Sequence, residues 1–99
     1  MRTLPPPFPP EPVDTYDLPA PFPNPASQSA EFTLALEASQ NVRILIYDVL
    51  GRLVRVLHNA TLDPDQRHRF VIEADGLAGG VYFIQVTADQ FSATRSVVL

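Results

Sequence analysis

The sequence predicts an all-β protein, an immunoglobulin-like antiparallel β-sandwich of about six to seven strands, preceded by a proline-rich extended linker. Three observations predict it. Apolar and polar residues alternate with a period of two in several stretches between Ser29 and Leu99. Clusters of Asp, Gly, Pro and Asn separate those stretches at roughly 8–12-residue spacing. No window carries a helical period with caps. The chain has neither cysteine nor tryptophan, so the Cys–Trp–Cys core of antibody domains is absent and only the architecture is expected.

Residues 1–21 read as linker and residues 22–99 as sandwich. Of the 11 prolines, all but Pro64 lie at or before Pro25. Each proline removes a main-chain donor and restricts the residue before it, which forbids helix and interior strand. Polyproline II is the default there, a semi-rigid spacer rising ~3.1 Å per residue, or about 60 Å over the whole segment. A ligand for a polyproline-reading groove is the competing reading. A spacer implies a tethered body at its far end.

From Ser29 the strands begin. Phe32, Leu34 and Leu36 alternate with Thr33, Ala35 and Glu37. Val42, Ile44 and Ile46 alternate with Arg43, Leu45 and Tyr47 and form the first arm of a hairpin. Asp48 starts the turn by offering its carboxylate to N–H groups two residues on, and Gly51 turns the corner in a left-handed conformation. The order Asp, two ordinary residues, Gly is that of a type I turn closed by a G1 bulge. The second arm, Leu53–Leu57, breaks strict alternation, as a bulge or an edge strand does. Beyond the turn at Asp63-Pro64-Asp65, His68, Phe70 and Ile72 alternate with Arg69, Val71 and Glu73. Tyr82, Ile84 and Val86 share one face of a strand after Gly79-Gly80, and Phe91–Leu99 is the last strand.

Composition excludes several functions. The net charge of −4 argues against nucleic acid, which needs a positive surface. No apolar run approaches the ~20 residues of a membrane-spanning helix. Without cysteine there is no disulfide, thiolate or Cys-ligated zinc. His58 and His68 are far apart and each sits within a strand, and Asp63 and Asp65 flank Pro64 as turn residues, so no metal or other cofactor is expected. No Gly-x-Ser-x-Gly elbow occurs, and Gly79-Gly80 precedes a strand and is too short for a phosphate loop. Tyr16, Tyr47 and Tyr82 are dispersed, which disfavours a sugar-binding aromatic platform. A catalytic role is not expected.

Four motifs in order resemble one known family. Phe22-Pro23-Asn24-Pro25 is similar to the (Tyr/Phe)-Pro-Asn-Pro opening of type IX secretion system C-terminal sorting domains. Tyr47-Asp48-Val49-Leu50-Gly51-Arg52 resembles their Tyr-Asp-x-x-Gly-(Arg/Lys) hairpin. Leu77-Ala78-Gly79-Gly80-Val81-Tyr82 resembles their Leu-x-x-Gly-(Val/Ile)-Tyr segment. Arg95-Ser96-Val97-Val98-Leu99 resembles their terminal strand, a basic residue followed by an apolar run. Arg95 stands where lysine is usual, and Gly79 where Pro, Ala or Ser is more common.

The resemblance implies a non-catalytic secretion signal that directs an attached cargo through the type IX system. Its implied partners are the outer-membrane translocon, a sortase and a covalently attached N-terminal cargo domain. It places the domain in the periplasm in transit and then at the cell surface or outside the cell. Met1–Pro5 has no apolar h-region, so the signal peptide is expected on a longer parent chain. Arg95, Ser96, Val97, Val98 and Leu99 are the expected recognition residues, with Val97, Val98 and Leu99 divided between core and receptor contact. Pro23, Asn24, Pro25, Tyr47, Asp48, Gly51, Arg52, Gly80, Val81 and Tyr82 are the expected scaffold motif. An unprotected last-strand edge would also suit self-association. The competing functional readings are an immunoglobulin-like accessory or adhesive module and, behind it, a carbohydrate-binding module.

Overall fold

The computed structural model describes residues 16–99. Seven strands follow in order: β1 (Tyr16–Asp17), β2 (Ser29–Leu36), β3 (Gln40–Asp48), β4 (Leu53–Leu62), β5 (His68–Glu73), β6 (Val81–Ala88) and β7 (Ser92–Val98). They form two antiparallel sheets, β1-β2-β5 and β4-β3-β6-β7. The inward rows of the two sheets make one core, with Phe32 and Leu34 from β2, Ile72 from β5, Val42, Ile44 and Ile46 from β3, and Ile84 and Val86 from β6. These are the residues that period-two alternation assigns to one face of each strand.

β4 shows why its alternation fails. Ile44 pairs with His58 but Leu45 with Val56, and Ile46 pairs with Arg55 but Tyr47 with Leu53. Leu57 and Val54 are the skipped residues, and both pack on the core. β4 is thus bulged twice and also an edge strand, and an edge that bends away resists pairing with other chains. Arg55 reaches from this edge to the other sheet, donating to the Glu73 carbonyl at 2.8 Å and the Asp75 carbonyl at 3.3 Å. That closes one open side of the sandwich.

One expectation needs correction. Residues 16–21, read as linker, contribute to the folded unit. Tyr16 and Asp17 pair with Leu36 and Ala35 of β2, and Leu18 is buried. The stretch from Val13 to Leu18 contains no proline, so its donors are free to join a ladder. Tyr16 also stacks on Phe91, with ring centroids 4.0 Å apart, and this contact fixes where the chain enters the sandwich. The rest of the proline-rich segment, residues 1–15, lies outside the described residues, and so does its polyproline II reading.

The two outward faces differ. On the three-stranded sheet, Arg69 pairs with Glu31 and Arg67 with Asp17, and Arg67 also donates to Thr33 Oγ1 at 2.8 Å. That is a solvated, ion-paired surface. On the four-stranded sheet, Tyr47 lies between Leu53 and Phe83, Leu45 faces Val56, and Val81 faces Val98. Leu53, Val56, Val81, Phe83 and Val98 are all exposed. The outward row of this sheet carries no carboxylate among the described residues, in a chain of net charge −4.

Candidate functional site

The four sequence motifs converge at one pole. Asp48, at the end of β3, pairs with Tyr82, and Tyr82 pairs with Val97 of β7. Gly80 and Leu99 exchange main-chain bonds of 3.1 and 2.8 Å. Asn24 Oδ1 accepts from the Val98 N–H at 2.9 Å. Residues from four distant stretches therefore share one end of the four-stranded sheet, while the chain enters at Tyr16 by the β6–β7 turn, the other end.

The hairpin is built as its residues dictate. Gly51 has φ of 84°, and its N–H donates to the Asp48 carbonyl at 3.0 Å. Asp48 Oδ1 accepts from the N–H groups of Leu50 and Arg52, each at 2.9 Å, and Oδ2 accepts from Arg52 Nε at 2.7 Å. The Arg52 N–H bond, with the Arg52 guanidinium and the Leu50 N–H adding to it, outweighs desolvation and holds the Asp48 carboxyl below its usual range. A lowered folded value means the hairpin's stabilisation is complete above about pH 3.9 and is lost as the pH falls further. Asp48→Asn keeps an acceptor for the main chain and loses the charge. Its melting midpoint is expected below wild type at pH 7, with the gap closing as thermal melts are taken towards pH 2.

Val49 and Leu50 form an apolar tip, 68% and 74% exposed. A cleft of about 150 Å³ separates this tip from Ala78–Tyr82, below the few hundred Å³ of ordinary small-molecule sites. Tyr82 is buried, and its hydroxyl donates to the Ala78 carbonyl at 2.6 Å. A tyrosine near the start of a strand that bonds back a few residues is the tyrosine corner of immunoglobulin-like sandwiches. Sequence reasoning gave Tyr82 only a motif role; the signal was its place just after a Gly-rich corner.

Gly79 and Gly80 behave differently. Gly80 has φ of 150°, a conformation side chains resist, whereas Gly79 has no positive φ and a Cβ there would meet the Leu99 carbonyl at 3.7 Å. Gly79→Ala is expected to stabilise by about 0.4–1 kcal/mol, and Gly80→Ala to destabilise by about 1–3 kcal/mol. Paired denaturant titrations measure both.

The expected recognition residues alternate along β7. Val97 is fully buried, Ser96 and Val98 are exposed, and Arg95 and Leu99 are half-buried. Arg95 points to the inner side, where Nε donates to the Leu18 carbonyl at 3.0 Å and a terminal nitrogen to the Thr94 carbonyl at 2.9 Å. The sequence predicts an unprotected outer edge on β7, and the structure corrects this: the edge is covered. The Ala26 N–H donates to the Val98 carbonyl at 2.8 Å, and Asn24 Nδ2 to the Ser96 carbonyl at 3.4 Å. Phe22 pairs in both directions with Glu31 of β2, so residues 18–26 close the second open side. Asn24 belongs to the Phe22–Pro25 motif, and its place at the β7 edge joins positions 74 residues apart, which no local pattern encodes.

A family model described as "Secretion system C-terminal sorting domain" matches residues 20–99. The chain belongs to that family, the type IX secretion C-terminal sorting domains. A comparison with curated proteins finds no significant match. A sorting domain is a non-catalytic signal for type IX secretion of an attached cargo protein, and it directs that cargo to the cell surface or the extracellular space. The match begins at residue 20, two residues beyond the buried Leu18. All four motifs fall within it, and in this sorting domain they are spatial neighbours.

Proposed function

We propose that the type IX translocon reads this sorting domain at the pole where β7 ends, with Arg95–Leu99 as the signal and the remaining motifs as the scaffold that presents it. The observation that carries the reading is the convergence of all four motifs around β7, at the end away from chain entry. Val98 supports it because its side chain is exposed on the outward face, beside Val81. Val97, on the opposite side of the strand, anchors the signal in the core. Leu45, Tyr47, Leu53, Val56, Val81 and Phe83 extend the apolar outward face, a surface suited to a large partner.

In this reading the cargo precedes Tyr16 and is separated from the reading pole by the length of the sandwich. The parent carries a signal peptide, crosses the periplasm and meets the sortase after translocation. The test places residues 1–99 behind a periplasmic reporter in hosts with and without the type IX apparatus. Surface delivery is expected in the first host alone. Equal delivery in both would sink the reading.

A further inference from the structure

We propose that the outer edge of β7 is a strand-addition site kept by a placeholder: residues 18–26 occupy it until an extended strand of the secretion machinery takes their place. This rests on the reading of β7 as the recognised element. It adds how the partner binds, through main-chain hydrogen bonds along an edge, with side chains such as Val98 giving specificity.

The segment is built as a poor partner strand. Prolines stand at every second position, 19, 21, 23 and 25, so half of the main-chain donors from 19 to 26 are missing. Among the described residues, one main-chain bond joins it to β7, from the Ala26 N–H to the Val98 carbonyl at 2.8 Å. Where a neighbouring strand would offer a main-chain carbonyl to the Val98 N–H, the Asn24 side chain does so at 2.9 Å. The opposite end of that amide reaches the Ser96 carbonyl at 3.4 Å, a long bond. Further along, contact passes to a side chain, Arg95 Nε on the Leu18 carbonyl at 3.0 Å.

An edge covered in this way is protected from other copies of the chain, yet it yields to a true strand. An incoming strand would supply a continuous ladder to Ser92–Val98 where the placeholder supplies one main-chain bond and a side-chain amide. The placeholder's other contacts are Phe22 with Glu31 of β2, on the opposite sheet, and Leu18 and Ala26, which are buried in the core, so displacement from β7 withdraws Ala26 while the Phe22 bridge and Leu18 stay in place. The strand pairings within both sheets do not involve residues 18–26 and are kept throughout.

The decisive experiment locks the placeholder. Contacts of Leu18 with Arg95, Asn24 with Ser96 and Ala26 with Val98 run the segment parallel to β7. Ala26, bonded to the Val98 carbonyl, therefore lies beside Leu99 with both side chains turned to the core, the arrangement a disulfide needs. The chain has no cysteine of its own. The Ala26→Cys/Leu99→Cys chain, fused to the same reporter, is expected to stay in the periplasm when oxidised and to reach the surface when dithiothreitol is added. Surface delivery of the oxidised chain, its crosslink verified on the delivered material, overturns the placeholder while leaving the sorting reading intact. Failure of the wild-type fusion to depend on the apparatus overturns both.

A second measurement needs no engineered bond. In Asn24→Ala, amide hydrogen exchange at Val98 is expected to quicken roughly two- to tenfold, with Ile84 in the sheet centre unchanged. Unchanged exchange at Val98 would show that the amide does not hold the edge, and the proposal fails.

Discussion

Aspartate at Val97 unfolds the domain, whereas aspartate at Val98 leaves it folded and lowers export. The two positions are adjacent, but β7 turns them to opposite faces. Val97 is 0% exposed and pairs with the buried Tyr82, while Val98 is 38% exposed beside Val81. A carboxylate at 97 has no partner in the core, and burying one without a partner costs several kcal/mol or forces the site open. A domain of this size has only about 4–13 kcal/mol of stability in total. At 98 the carboxylate remains in water, and both main-chain groups of that residue keep their bonds to Asn24 and Ala26. Surface changes of this kind stay within about 0.5 kcal/mol. The expected outcome is loss of the cooperative melt for Val97→Asp. For Val98→Asp it is a midpoint within a few degrees of wild type together with reduced surface delivery. Wild-type delivery of Val98→Asp would show that the exposed side of β7 is not read.

The contrast between these residues also shows what sequence could reveal. Alternation assigns Phe32, Ile44, Ile84 and Val97 to inward rows because side-chain direction in a strand is a local property with period two. The Asp48–Gly51 turn was legible for the same reason: its acceptors and its left-handed residue lie within four positions of one another. The break in alternation after Leu53 announced irregularity, although only the register names Val54 and Leu57 as the bulged residues. The short strand at Tyr16–Asp17 was obscured by surrounding prolines, whose effect on average composition hid a proline-free gap. Covering of the β7 edge was illegible. It depends on contacts between residues 18–26 and 95–98, and a protected edge and an open one have the same local pattern.

Phe32→Ala asks whether the scaffold matters to the signal. Phe32 is 1% exposed in β2, on the sheet that does not contain β7, and its ring lies 5.5 Å from that of Phe70. Truncating a buried phenylalanine costs about 3–5 kcal/mol, and each kcal/mol lowers the midpoint of a domain this size by about 4–8 °C. The expected fall is therefore ~12 °C or more, with the full sequence from Arg95 to Leu99 unchanged. If the translocon reads those five residues as a peptide, delivery is indifferent to the fold and Phe32→Ala is exported as well as wild type. If it reads them as a strand held at a pole, delivery falls in step with the folded fraction. The geometry favours the second outcome. Val97 shows its neighbour Val98 to a partner only while it is itself seated against Tyr82, and Tyr82 is seated by the core that Phe32 helps to fill. Export measured against melting midpoint, across wild type, Phe32→Leu and Phe32→Ala, distinguishes the two. A graded decline ties recognition to the sandwich, and a flat series would reduce the signal to its last five residues.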